Sequence, residues 1–103
     1  MPDSGFDVQL RSAIASKRLL QLAYSGALRV SEPHDYGVYK GVLRLLTYQL
    51  RAAGGHSRNP RGWRMLDVAK IASCAVLDES FPGSRGEAHR QHYVWDELYA
   101  RVK

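Results

Sequence analysis

The stretch 63–81, WRMLDVAKIASCAVLDESF, decides how this chain folds. It reads as two extended segments meeting near Ile71 and Ala72, and it places two cations, Arg64 and Lys70, on one strand. On an ideal strand, residues an even number apart point the same way, so Arg64, Leu66, Val68 and Lys70 share one face. Trp63, Met65, Asp67, Ala69 and Ile71 share the other. A strand with a cation at each end of one apolar face makes a poor core surface and a reasonable wall for an anion site.

Working back from this stretch, residues 52–62 (AAGGHSRNPRG) predict a solvent loop, and residues 42–51 (VLRLLTYQLR), the most apolar run, predict a central strand. Residues 19–25 (LLQLAYS) alternate Leu20, Leu22 and Tyr24 with Gln21 and Ala23, which predicts a first strand. After the Ser25-Gly26 turn signal, residues 28–33 (LRVSEP) resume an extended pattern that Pro33 ends or pushes to an edge. Residues 34–41, with two glycines and two tyrosines, suit a loop or a bent strand.

Helical signals flank the strands. Residues 4–18 carry Ser4 as a cap with Asp7 three residues on, then Phe6, Leu10, Ala13, Ile14 and Lys17 at helical spacing, with Lys17 and Arg18 in the last turn. That helix is expected across a sheet or over an open barrel end. At the other end Pro82-Gly83 breaks the last strand, and Ser84 with Glu87 forms a second capping-box signature. Trp95, Leu98, Tyr99 and Val102 then predict a C-terminal helix over 85–102. Helix, about five short strands and helix favour a small antiparallel barrel, mainly β with flanking helices, over a βαβ sheet. The expectation is one domain over 1–103 with its barrel core at about 19–81.

With 45% hydrophobic and 24% charged residues, the 103-residue chain has the composition of a folded globular domain. The net charge of +5 points to phosphate-bearing partners or an acidic protein surface. Cys74 stands alone and cannot form an internal disulfide, so a reducing compartment and a small-hydrophobe role are expected. The first ten residues lack a signal-peptide pattern and no window approaches a membrane span, so the expected location is cytoplasmic, with no membrane partner.

The charge is concentrated. Between residues 40 and 70 lie Lys40, Arg44, Arg51, Arg58, Arg61, Arg64 and Lys70, against Asp67 alone. Such clustering suits phosphate docking, and Arg58 and Arg61 on the Gly-rich loop are placed to fold over an anion. Tyr24, Tyr36, Tyr39, Tyr48 and Trp63 interleave with these cations. Exposed rings there would stack on bases, whereas Tyr24 and Trp63 are expected to be structural. Glu32 is expected to pair with Arg29 across a turn. His89 and His92 stand three apart without a third ligand, so an exposed pair is expected and no metal or cofactor; His34 and His56 read as isolated loop histidines. The chain has no Gly-x-Ser-x-Gly elbow, P-loop or Gly-x-Gly-x-x-Gly, and the expectation is a protein that is not an enzyme.

Taken in order, Tyr24, Gly26, Arg29, Glu32 and Pro33, then Arg64, Leu66, Val68, Lys70 and Ile71, then Leu77 and Phe81, resemble the pattern of the WYL domain. That family is a small SH3-like barrel related to the Sm fold in bacterial transcriptional regulators, and this chain resembles a divergent, stand-alone member. The name-giving triplet falls at Leu43, Arg44 and Leu45, and the Asp-Arg pair before the isoleucine becomes Ala69-Lys70. The resemblance implies a ligand-sensing regulatory module that binds an anionic, nucleotide-like ligand or short single-stranded nucleic acid. Arg29, Arg64 and Lys70 would face the ligand, and Arg44 stands where the family has an aromatic. The resulting site set is Arg29, Arg44, Arg58, Arg61, Arg64, Lys70 and Tyr48. Two alternatives stand beside it: a dimerisation module or one for a separate DNA-binding protein, using Trp95 and Tyr99, and an Sm-like RNA-binding protein.

Overall fold

The computed structural model describes residues 5–53, 61–86 and 93–103. A helix, α1 (Asp7–Ser16), precedes the strands β1 (Arg18–Tyr24), β2 (Ala27–Tyr39), β3 (Val42–Ala53), β4 (Gly62–Asp67), β5 (Ile71–Ser80) and β6 (Glu97–Arg101). All pairings are antiparallel. The sheet is open, in the order β4-β3-β2-β1-β5, with β6 added on β2.

The helix is shorter than its sequence pattern. Phe6 occupies the cap position without a side-chain hydrogen bond, and Asp7 supplies the acid of the first turn. Ser4 lies outside the described residues. Lys17 ends the helix in the left-handed conformation (φ 55°), its amide closing on the Ala13 and Ile14 carbonyls. Leu10, Ala13 and Ile14 are buried against the sheet.

β2 organises the rest. It pairs with β3 from end to end, with β1 up to Ser31, and with β6 from Asp35 onward. Of the two alternatives for 34–41, a loop or a bent strand, the structure has the strand: residues 34–39 continue the 13-residue β2, and Lys40 and Gly41 form the turn after it. Pro33 is tolerated inside it because it falls between the β1-paired and β6-paired halves, beside a register shift at His34, where its missing N–H breaks neither of those ladders. β3 lies between β2 and β4, as a central strand should.

The helix expected over 85–102 is not what the structure contains. Residues 97–101 form a strand and no residue of 93–103 is helical; β6 fills the β2 edge that β1 leaves open. Unpaired backbone groups at a buried edge demand partners. The Asp96 amide on the Val38 carbonyl and the Val102 amide on the His34 carbonyl, both 2.8 Å, extend that pairing at either end. Residues 87–92, which would have carried the first turns of the helix, lie outside the described residues.

β4 and β5 are consecutive in the chain yet lie at opposite ends of the strand order, joined by a 3-10 turn, Val68–Lys70. The sheet must curl for its outer strands to meet at that corner. The same turn removes Lys70 from the strand face expected to hold it with Arg64. The strand ends at Asp67, and the Ile71 amide bonds back to the Val68 carbonyl. The core inside the curl is built from Leu20, Leu22, Val30, Tyr36, Leu45 and Leu66 with the helix residues. Among the described residues no helix is long and apolar enough to cross a membrane.

Candidate functional site

Directly paired residues of an antiparallel ladder point to the same side, so the register sorts the predicted cations by face. Leu45 pairs with Leu66, Thr47 with Arg64, and Gln49 with Gly62, which puts Arg64 on the core-bearing face. Ser31 pairs with both Gln49 and Leu20, and Arg29 with Leu22, so Arg29 shares that face. Arg44 pairs with Asp67 on the reverse.

Arg29 and Arg64 share one face, at positions on either side of Gln49. Arg29 donates from Nη1 to Gln49 Oε1 at 2.9 Å and from Nε to the Tyr24 carbonyl at 3.1 Å, with its guanidinium 5.5 Å from the Tyr24 ring. Arg64 donates from Nη1 to the Trp63 carbonyl at 2.9 Å. That nitrogen lies over Gly62, opposite Gln49, at 3.2 Å from where a β-carbon would stand, and Gly62 also has φ 144°. A side chain at 62 would be strained and would push Arg64 away. Among the described residues no carboxylate lies within ion-pair distance of Arg29.

The other predicted cations divide differently. Arg44 and Lys70 both contact Asp67 at 3.5 Å, one at each carboxylate oxygen, so one acid offsets both. Arg44 also lies 5.8 Å from the Tyr39 ring centre. Arg61 stands 5.8 Å from the Tyr48 ring. Arg58, His56, His89 and His92 lie outside the described residues.

Tyr48 is half-buried and already has ring contacts. The Arg85 guanidinium lies 3.8 Å from its ring centre, and Trp63 meets it edge-on at 5.4 Å. Arg85 is in turn forked onto Glu32, a buried carboxylate, with Nε to Oε1 at 2.6 Å and Nη2 to Oε2 at 3.1 Å. The hydrogen bond to Glu32 pushes the Arg85 guanidinium above its ordinary range. Glu32 therefore pairs with Arg85 and not with Arg29, because the strand through Pro33 leaves no turn to fold them together.

His34 is fully buried between Trp63 and Phe81. Its Nδ1 lies 2.9 Å from the Glu32 carbonyl, which only accepts, and its Nε2 lies 3.3 Å from the Arg85 amide, which only donates. The tautomer with its proton on Nδ1 satisfies both contacts. Asp35, fully buried, takes a similar fork from Arg101 at 3.0 and 3.2 Å. These three polar residues were missed as structural anchors. The available signal was two carboxylates and a histidine within four positions of one strand, which demand buried partners. Trp63 and Tyr24 are structural, as expected: Tyr24 packs on the core and its hydroxyl accepts the Asp67 amide at 3.2 Å.

No group of three or more potential metal ligands occurs among the described residues. Comparison with known protein families, curated proteins and solved structures finds no match to this chain.

Proposed function

We propose that the chain is a non-catalytic binding domain that takes an anionic, nucleotide-like or short single-stranded nucleic-acid ligand at the Arg29–Gln49–Arg64 end of the sheet. The observation that carries this is the setting of Arg29. Its guanidinium is fixed by a side-chain amide and a main-chain carbonyl, which orient the charge without cancelling it. A partly buried cation held only by neutral acceptors favours an incoming anion, and the guanidinium fork suits phosphate. Arg61 lies by the Tyr48 ring, on the reverse face, and is not part of this end.

Strand order and the 3-10 corner between the outer strands support closure into an SH3-like barrel of the WYL kind. A regulatory, ligand-sensing role follows from that resemblance. Fluorescence anisotropy with short labelled oligonucleotides and mononucleotides, at two salt concentrations, tests the reading. Replacing Arg29 and Arg64 together with Ala is expected to weaken binding about tenfold or more and to flatten its salt dependence. Undetectable binding at low salt, or affinity unchanged in the double variant, sinks it.

A second reading is an association surface. Val42, Val94 and Leu98 are exposed next to the packed rings of Tyr39, Tyr93 and Trp95. Sedimentation of the protein and of Val94→Asp tests it: a dimer that this variant dissolves supports the reading, and a monomer at all concentrations removes it.

A further inference from the structure

A groove of about 480 Å³ runs between α1 and β6, remote in the chain from Arg29 and Arg64. Its apolar lining comes from Ile14 and Ala15 on the helix and Ala100 on the strand. Around it stand four cations: Arg11, Lys17, Arg101 and Lys103. Among the described residues no Asp or Glu lines it. Its size falls within the range of small-ligand sites.

The four cations differ in what already holds them. Arg11 is paired with Asp7 at 3.0 Å and lies 5.0 Å from the Tyr99 ring, while Arg101 is forked onto the buried Asp35. These two are fixed in direction by partners set behind them. Among the described residues neither Lys17 nor Lys103 has a carboxylate within ion-pair distance. The Lys17 side chain and the Lys103 backbone both approach Gly83. Lys17 Cε lies 3.5 Å from where its β-carbon would be, and the Lys103 main-chain oxygen, which accepts the Ser84 amide, crowds it from the other side. Two oriented arginines and two uncompensated lysines around an apolar floor leave a net positive groove.

We infer that this groove is a second binding site, for an organic anion with a short apolar body: a carboxylate or phosphate head among the cations and a hydrocarbon part on Ile14, Ala15 and Ala100. The negative end of the helix dipole lies at Lys17, so the head belongs toward Arg11, Arg101 and Lys103 and the tail toward the last helical turn. An inorganic anion would leave the floor uncovered, and a hydrocarbon cation would meet like charge. The site requires both halves of the ligand.

Amide shifts in a ¹H–¹⁵N correlation spectrum of the full chain test this, with octanoate, octylammonium and inorganic phosphate titrated separately. Octanoate is expected to move the amides of Ile14, Ala15, Ala100 and Arg101 in a saturable way, phosphate to bind about tenfold more weakly, and octylammonium to leave them in place. Lys17→Glu with Lys103→Glu is expected to weaken octanoate about tenfold while the spectrum elsewhere stays native, since Lys103 is exposed and the half-buried Lys17 makes no ion pair among the described residues. Oligonucleotide binding at Arg29 should survive those changes, which separates this site from the first. Equal binding of octanoate and octylammonium, no saturable shift at these amides, or tighter occupancy by a glutamate-rich peptide than by octanoate overturns the inference.

Discussion

Glu32 and Arg85 stand 53 residues apart in the chain and meet in a two-pronged ion pair, 2.6 and 3.1 Å, with the carboxylate only 4% exposed. The pair clamps the segment after β5 onto the outer face of β2 and β3, with Tyr48 beneath the guanidinium. Glu32→Gln removes the charge and keeps the shape. Because Arg85 is itself partly exposed, the expected loss is about 2 kcal/mol, at the low side of what breaking a buried pair costs. A urea-melt cycle with Arg85→Gln and the double variant measures the coupling; additive losses would show that the two residues act separately.

Asp7 is held below the usual carboxylate range, first by the Tyr36 hydroxyl at 2.6 Å and then by Arg11, against an opposing effect of burial. A carboxyl lowered on folding stabilises the protein above its unfolded value, about 3.9, and this is lost as pH falls through the folded value. Tyr36→Phe should therefore cost stability near neutrality, and the gap from the native protein should narrow as pH drops below about 4. A gap that stays constant over that range would contradict the assignment.

Gly37 faces β6 so closely that a β-carbon would collide with the Glu97 carbonyl and lie 3.0 Å from Leu98 Cα. Gly37→Ala is expected to destabilise by about 1–3 kcal/mol through overpacking. Hydrogen exchange should locate the damage, with the amides of 97–102 losing protection while those of β1 and β5 keep it.

Burial lifts the Cys74 thiol to about 11. At pH 8 the thiolate is scarce, and alkylation should run at roughly a hundredth of the rate of a free thiol or slower. The rate should climb steadily toward pH 11. Fast labelling at neutral pH would mean that β5 opens.

Asp67 offsets both Arg44 and Lys70. Asp67→Asn should therefore tighten oligonucleotide binding by about threefold, while Arg44→Ala alone changes it little. A larger loss from Arg44→Ala than from Arg29→Ala would move the site to the other face.

β1 is legible from the sequence because its apolar residues alternate, and β3 because it is the most apolar run of β-compatible residues, with Leu45, Leu46 and Thr47 buried in succession. The end of the chain is not. Trp95, Leu98, Tyr99 and Val102 fit helical spacing, yet Ala100 and Val102 are packed on the core as alternate residues of an extended segment. What selects β6 is a vacant edge on β2 about sixty residues away, which no local pattern reports. The candidate site was legible in part for the same reason. Arg29 and Arg64 are brought to one face by register, but local spacing could not reveal that Asp67 takes up Arg44 and Lys70, or that Arg85 covers Tyr48.

Because one strand is bordered first by β1 and then by β6, its second half has no neighbour on that side until residues 97–102 exist. On a ribosome, the segment from His34 to Tyr39 would emerge long before its last partner. Synthesis thus sets a waiting period in which this stretch depends on β3 alone or on a chaperone.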